Sequence, residues 1–165
     1  MPQAIKAGIL GVMLLILAGI TTQGKPFPQH FDKARYYEVI GKGSIPLINE
    51  ELEILKNTAH ASKEAYEGAL FMKKAGLVKG AQKLHLFKSG RLKLETSIKE
   101  QSDNAELRFL RILIQEHAPK IVNYRGDLEK DREMVKHAFN GLAPVVQKAI
   151  LDYSKQSAVI SEKEL

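Results

Sequence analysis

The chain has no cysteine and no tryptophan, and only 7% of its residues are aromatic. Without cysteine there is no disulfide, no thiolate zinc site and no thiol nucleophile, and the redox compartment is left open. So few aromatic rings argue against a sugar-stacking cleft or a base-stacking nucleic-acid platform. The H-E-x-x-H, G-x-S-x-G, P-loop and G-x-G-x-x-G motifs are missing, so the standard metalloprotease, hydrolase and nucleotide sites are not expected. The five histidines, His30, His60, His85, His117 and His137, fall in separate segments. Glu133 and His137 stand four apart on one helix and Glu116 adjoins His117. Metal sites in bundles need such pairs repeated on facing helices, and no Glu-x-x-His occurs, so no metal and no cofactor is expected.

Charge is almost missing from the first 24 residues, MPQAIKAGILGVMLLILAGITTQG, where Lys6 stands alone before an apolar run from Ala7 to Ile20. That run is too short for a membrane span of about 20 residues and fits a signal-peptide core of about 7 to 15. Thr22 and Gly24 are small enough for a cleavage site, and no lipid-accepting cysteine follows. The expectation is a signal peptide over 1–24 and a periplasmic or secreted protein. The alternative is an uncleaved membrane anchor formed by residues 7–22.

What remains is long enough and, at 44% hydrophobic over the whole chain, apolar enough for one domain with a core. Its net charge is positive and unevenly spread. Lys73, Lys74, Lys79, Lys83, Lys88, Arg91, Lys93 and Lys99 share one stretch with a single acid, Glu95. Such a block either forms a solvated face or attracts anionic lipid or another polyanion weakly and in a salt-sensitive way. Nucleic acid is not expected, because export removes the usual partner and Phe87 is the one aromatic residue in the block.

Periodicity predicts an all-α fold, a bundle or array of about six to seven helices over 31–160, after an extended lead-in at 25–30 and before a short tail at 161–165. Phe31 to Ile40 reads as a helix stopped by Gly41 and Gly43. Ser44 caps the next, with Leu47, Ile48, Leu52 and Leu55 as its buried stripe and Pro46 in its first turn. From Ala59 to Leu77, Ala65, Gly68, Ala69, Met72 and Ala75 offer small faces to a neighbour. Residues 83–95 are ambiguous. Leu84, Leu86, Leu92 and Leu94 alternate about Ser89-Gly90 as a hairpin would, yet partner strands are lacking. Read as a helix, Leu84, Phe87, Leu94 and Ile98 share one face, and Gly90 marks a break or kink. A helix from Asp103 to about Pro119 follows, then one begun at Asp127 with Leu128, Val135, Ala138 and Phe139. Pro144 opens the last, in which Val146, Ala149, Ile150 and Tyr153 face inward.

The order of helix, glycine turn and helix in FKSGRLKLETSIKEQSDNAELRFLRILI resembles the helical hairpins of tetratricopeptide repeats. AYEGALFMKKA at 65–75 and ELRFLRILIQEHAP at 106–119, followed by Tyr124, resemble small uncharacterised exported helical proteins of Bacteroidota. The second resemblance implies export and helical architecture and carries no catalytic residue.

The candidate site lies in the helix of DNAELRFLRILIQEHAP. At about 100° per residue Arg108, Arg111 and Gln115 fall on one stripe, and Glu106 sits amid the apolar arc. Two readings of Glu106 stand. In one, Asp103 is the N-cap and Glu106 closes a D-x-x-E capping box. In the other, Glu106 points into the bundle and meets Arg91, Arg35, His117 or Tyr66, with Tyr124 closing the network, because an unpaired buried carboxylate is too costly. The functional expectation is a non-enzymatic binding or adaptor domain of the cell envelope, with a protein partner, using a groove lined by Glu106, Arg108, Arg111, Gln115, Tyr66 and Tyr124. The alternative is an envelope hydrolase with Glu106 as general acid or base, which requires that carboxylate in a concave pocket beside a second titratable group.

Overall fold

Asp32 starts the first helix by accepting the Ala34 N–H on its carboxylate at 2.9 Å, which leaves Phe31 outside. The computed structural model describes residues 30–165; the apolar run and the expected cleavage site lie outside them. Seven α-helices follow in order: α1 Lys33–Lys42, α2 Ile45–Lys56, α3 Lys63–Leu77, α4 Ala81–Glu100, α5 Ala105–Gln115, α6 Leu128–Ala138 and α7 Pro144–Ser154. The fold is all-α, with no strand among the described residues, and no helix among them is long and apolar enough to cross a membrane.

Several boundaries differ from the sequence reading. Gly41 lies inside α1, and Gly43 ends it by returning its N–H to the Val39 carbonyl. Ser44 is the N-cap of α2 by position, but its hydroxyl makes no cap bond. Leu47 is exposed, and the buried stripe of α2 is Ile48, Glu51, Leu52, Ile54 and Leu55. A carboxylate fits on that stripe because Arg35 donates from Nε to Glu51 at 3.0 Å. Burial pushes the Glu51 carboxyl up from its usual range, against the pull of Arg35.

The 83–95 ambiguity resolves as helix, since α4 runs unbroken through Ser89-Gly90. Gly90 does not break it. It is where α3 and α4 cross most closely: a Cβ on Gly90 would stand 2.5 Å from the Gly68 carbonyl oxygen, and one on Gly68 would stand 2.7 Å from that of Gly90. The small face predicted for α3 is therefore used, with Ala65, Gly68, Ala69, Met72 and Ala75 all buried. Lys93 of α4 reaches back to Glu64 and Glu67 of α3 and fastens the pair. Gly80, at φ +68°, makes the tight turn between them, a conformation that costs a Cβ-bearing residue energy.

α5 is the hub. Ten of its eleven residues are buried, and Leu113 is half-buried. One side of α5 puts Leu107, Leu110 and Ile114 into a core with α1–α4, including Tyr36, Tyr66 and Leu94. The other puts Phe109 and Ile112 against Val135, Val146, Ile150, Tyr153 and Ile160. A fully buried aliphatic side chain stabilises the fold by about 1.5 to 3 kcal/mol, so both contacts matter. Such a helix cannot leave a polar face in water. Its four polar residues, Glu106, Arg108, Arg111 and Gln115, are all buried.

Candidate functional site

Glu106 obeys neither sequence reading in full. The N-cap of α5 is Asn104, not Asp103. Its amide oxygen accepts the N–H of Glu106 at 3.1 Å and of Leu107 at 3.4 Å. That shift of one residue takes Glu106 off the N3 position, and the D-x-x-E box is not formed. The carboxylate turns inward and accepts from Lys33 Nζ at 2.7 Å, the Tyr37 hydroxyl at 2.9 Å and the Tyr66 hydroxyl at 2.6 Å. Of the expected partners Tyr66 alone is there. Arg35 goes to Glu50 and Glu51, Arg91 covers the Tyr124 ring, and His117 lies beside Tyr153. Burial, and then the Glu106 charge, hold the Tyr66 and Tyr37 hydroxyls far above their usual range, so both remain donors. Tyr66 is also packed by Phe31, Tyr36 and His60, at ring separations of 4.9, 4.8 and 5.4 Å.

Because Lys33 keeps 26% of its side chain exposed, it can turn to water if its partner is neutralised. Glu106→Gln should therefore cost roughly 1 to 2 kcal/mol in urea unfolding, the loss of charge assistance to its donors, and not the larger penalty of a stranded cation. A loss under about 0.5 kcal/mol would show that the three donors do not hold this carboxylate in solution.

The stripe of Arg108, Arg111 and Gln115 faces other helices, not a cleft. Arg111 grips Asp131 of α6 with Nε at 2.6 Å and Nη2 at 2.8 Å, and gives Nη1 to Glu95 of α4 at 2.7 Å. Tyr124 donates to the other oxygen of Glu95 at 2.6 Å. Arg108 donates to the Ser102 carbonyl at 2.8 Å and lies 3.6 Å from Asp131. Gln115 is fully buried, and neither polar atom of its side chain has a hydrogen-bond partner among the described residues. Burial pushes the Asp131 carboxyl up, but the two hydrogen bonds and the charge of Arg111 work to keep it ionised. Periodicity marks Asp131 after the fact: it shares a stripe of α6 with Leu128 and Val135, where an acid needs a cation opposite. Glu95 was visible as the one acid of the basic block. Lys33 and Tyr37, four apart on α1, gave no such signal.

A half-buried carboxylate fixes the chain end. Glu116 accepts from the hydroxyls of Tyr153 and Ser157 and from the Ala158 N–H. Burial opposes its charge, yet these donors outweigh it and hold the carboxyl below the usual range. Ile160 is thereby seated in the second core, and Arg132 meets Glu164 beyond it.

Two surface grooves stand out among the described residues, and none of Glu106, Arg108, Arg111, Gln115, Tyr66 and Tyr124 lines either. The first, about 760 Å³ between α1 and α7, has Tyr37, Ile40, Phe109 and Ala149 in its wall. Its rim carries both signs, and Lys148 and Lys155 are both paired with Asp152. The second, about 490 Å³, lies between the end of α3, the start of α4 and the segment after α5. Met72, Ala75, Leu84, Phe87, Ile114 and Val122 form its wall. Its ionisable lining residues are Lys73, Lys83 and His117, with no acid among them. Leu113 lies between the two grooves and lines both.

The structure divides the basic block. Lys93 is held between Glu64 and Glu67, Lys74 donates to Asn49, and Arg91 lies over Tyr124. Lys79, Lys83, Lys88 and Lys99 are exposed. Lys73 is half-buried at the groove and donates to the Gly41 carbonyl at 3.2 Å. No group of three or more potential metal ligands comes together among the described residues, and Glu133 pairs with Arg132 and Lys136, not with His137. Compared with known families, curated proteins and solved structures, the chain matches none.

Proposed function

We propose that the chain is a non-enzymatic binding domain of the cell envelope whose binding surface is the apolar groove between α3, α4 and the end of α5. The observation that carries this reading is the pairing of an open, apolar-walled groove with buried ionisable groups that are largely engaged inside the fold. Leu77 and Leu84, 45% and 55% exposed, stand in the lining of that groove. Large apolar side chains left in water beside a concavity are a common mark of a contact surface. Nothing in the position of Glu106 favours the hydrolase alternative, because its oxygens are engaged by three donors and it lines neither groove, although one of those donors, Tyr37, stands in the wall of the first.

Gly76 supplies the test. It lines the groove within α3, and a Cβ built on it meets nothing within 4 Å, so a larger side chain can enter the open space without displacing the fold. Gly76→Leu should leave stability unchanged or raise it by up to about 1 kcal/mol through helix propensity. It should weaken saturable binding of the neutral dye N-phenyl-1-naphthylamine by about tenfold, equivalent to about 1.4 kcal/mol. Unchanged dye affinity would reject this groove as the binding surface.

The envelope location rests on Lys6 and the apolar run Ala7 to Ile20. Intact-mass measurement of the protein recovered from its native cells should give a mature N-terminus near Lys25. An unprocessed Met1 terminus in a soluble cytoplasmic fraction would overturn it.

A further inference from the structure

Resting on that reading of the groove, we propose that its ligand is an anionic single-chain amphiphile, a long-chain carboxylate. Its hydrocarbon lies along Met72, Leu84, Phe87 and Ile114, and its head group meets Lys73. Size decides first between a chain and a protein segment. At about 490 Å³ the groove falls within the roughly 300 to 1,000 Å³ of small-molecule sites. Its wall offers only a fraction of the roughly 800 Å² that each side of a standard protein interface buries. The lining has few polar groups with which to satisfy a bound peptide backbone, whereas an alkyl chain asks for none.

Charge then selects the head group. Lys73 is half-buried, with a carbonyl oxygen as its hydrogen-bond partner and no carboxylate within salt-bridge distance among the described residues. Nearly every other lysine packed between helices here has found an acid: Lys33 has Glu106, and Lys93 has Glu64 and Glu67. Burial without a counter-charge also draws the Lys73 ammonium below its usual range, which a bound carboxylate would reverse. Lys83 and His117 are the other ionisable lining residues. The ionisable groups of the lining are thus basic, with no acid among them, which favours an anion over a cationic amphiphile. The exposed Leu77 and Leu84 provide apolar contact for the part of the chain that leaves the groove.

The experiment is a heteronuclear NMR titration of the purified, ¹⁵N-labelled protein. The probes are dodecanoate, decanoate, dodecanol and dodecyltrimethylammonium, each kept below its micellar concentration. Dodecanoate should shift the amides of Gly76, Leu77, Leu84 and Phe87 and bind about tenfold more tightly than dodecanol, the weight of one charge-assisted contact. The ammonium amphiphile should bind most weakly. Decanoate, two methylenes shorter, should bind roughly tenfold more weakly than dodecanoate. Lys73→Gln should remove the preference of carboxylate over alcohol while leaving dodecanol binding unchanged, and Lys83→Gln should reduce that preference in part. An unaltered amide pattern away from the groove certifies that each variant is folded, and the comparison of probes on the unmodified protein stands without either. Equal binding of dodecanoate and dodecanol, with the groove amides moving, overturns the anionic ligand and leaves the groove reading in place. Binding of the neutral dye with no response to any of the four amphiphiles overturns the ligand class. Failure of the dye as well removes the groove reading itself.

Discussion

Replacing Asp131 by alanine should destabilise the fold by about 3 to 5 kcal/mol, the range for breaking a buried ion pair from one side. The size follows from what is left behind. Asp131 is fully buried and is the double acceptor for the Arg111 guanidinium, whose own side chain is 4% exposed. Arg111 cannot shed its proton, since burial is outweighed by the acids around it and its pKa lies above the guanidinium's ordinary value. It cannot swing to water either, because its side chain is held between α4 and α6. Glu95 would remain as its partner, and Asp127 at 3.3 Å, but both are more exposed and neither offers the two-pronged geometry. Urea unfolding with an unchanged denaturant slope measures the loss. Replacing both partners together, Arg111→Met with Asp131→Leu, should recover much of it, because no charge is then stranded. A loss under about 1 kcal/mol for the single variant would mean that this pair is solvated.

The other large effect is expected at a residue without a side chain. Gly90→Ala brings a methyl to 2.5 Å from the Gly68 carbonyl oxygen, 2.8 Å from Met72 Cγ and 3.0 Å from the Met72 backbone nitrogen. Two of those atoms belong to the backbone of α3 and cannot rotate away, so the helices must part. Overpacking of this kind costs about 1 to 3 kcal/mol or more. Alanine gains roughly 1 kcal/mol over glycine in a helix interior, which offsets part of this. A net loss of about 2 kcal/mol is expected, with reduced amide-exchange protection at Leu94 and Met72, where the two helices meet. Unchanged or increased stability would show that α3 and α4 do not approach as closely as Gly68 and Gly90 allow.

The contrast between Gly90 and Asp131 shows what the sequence discloses. The helices were legible because their apolar spacing and punctuation are local, and the small face of α3 announced a close neighbour. What that neighbour was could not be read, and Gly90 looked like a break because glycine weakens a helix and permits close packing with the same absence of a side chain. The inward turn of Glu106 was one of two legible readings, decided by whether Asp103 or its neighbour Asn104 caps α5. Asp103 was the expected cap, and Asn104 beside it takes that place. The polar stripe Arg108, Arg111 and Gln115 was correctly placed on one face but assigned to a groove. Periodicity gives the direction of a side chain along its own helix, not whether water or an opposing acid waits there. Asp131 and Glu95 lie 20 and 16 residues away from Arg111 in the chain, on other helices, and such pairing is invisible to local pattern. The groove with Lys73 at its edge was not legible as a groove, since three separate segments build its wall.

Because α5 supplies side chains to both cores, neither half of the protein has an interior of its own. Ending the chain before α6 would bare Phe109 and Ile112 and leave Arg111 without Asp131; beginning it after α4 would bare Leu107, Leu110 and Ile114 and leave Glu106 without Lys33, Tyr37 and Tyr66. The central helix also cannot form early and wait, since eleven residues alone in water lie below the length at which helices persist. Its order is conferred by the six helices around it. The folding reaction is consequently expected to be cooperative across the described residues, with one helix as the common term linking the two cores.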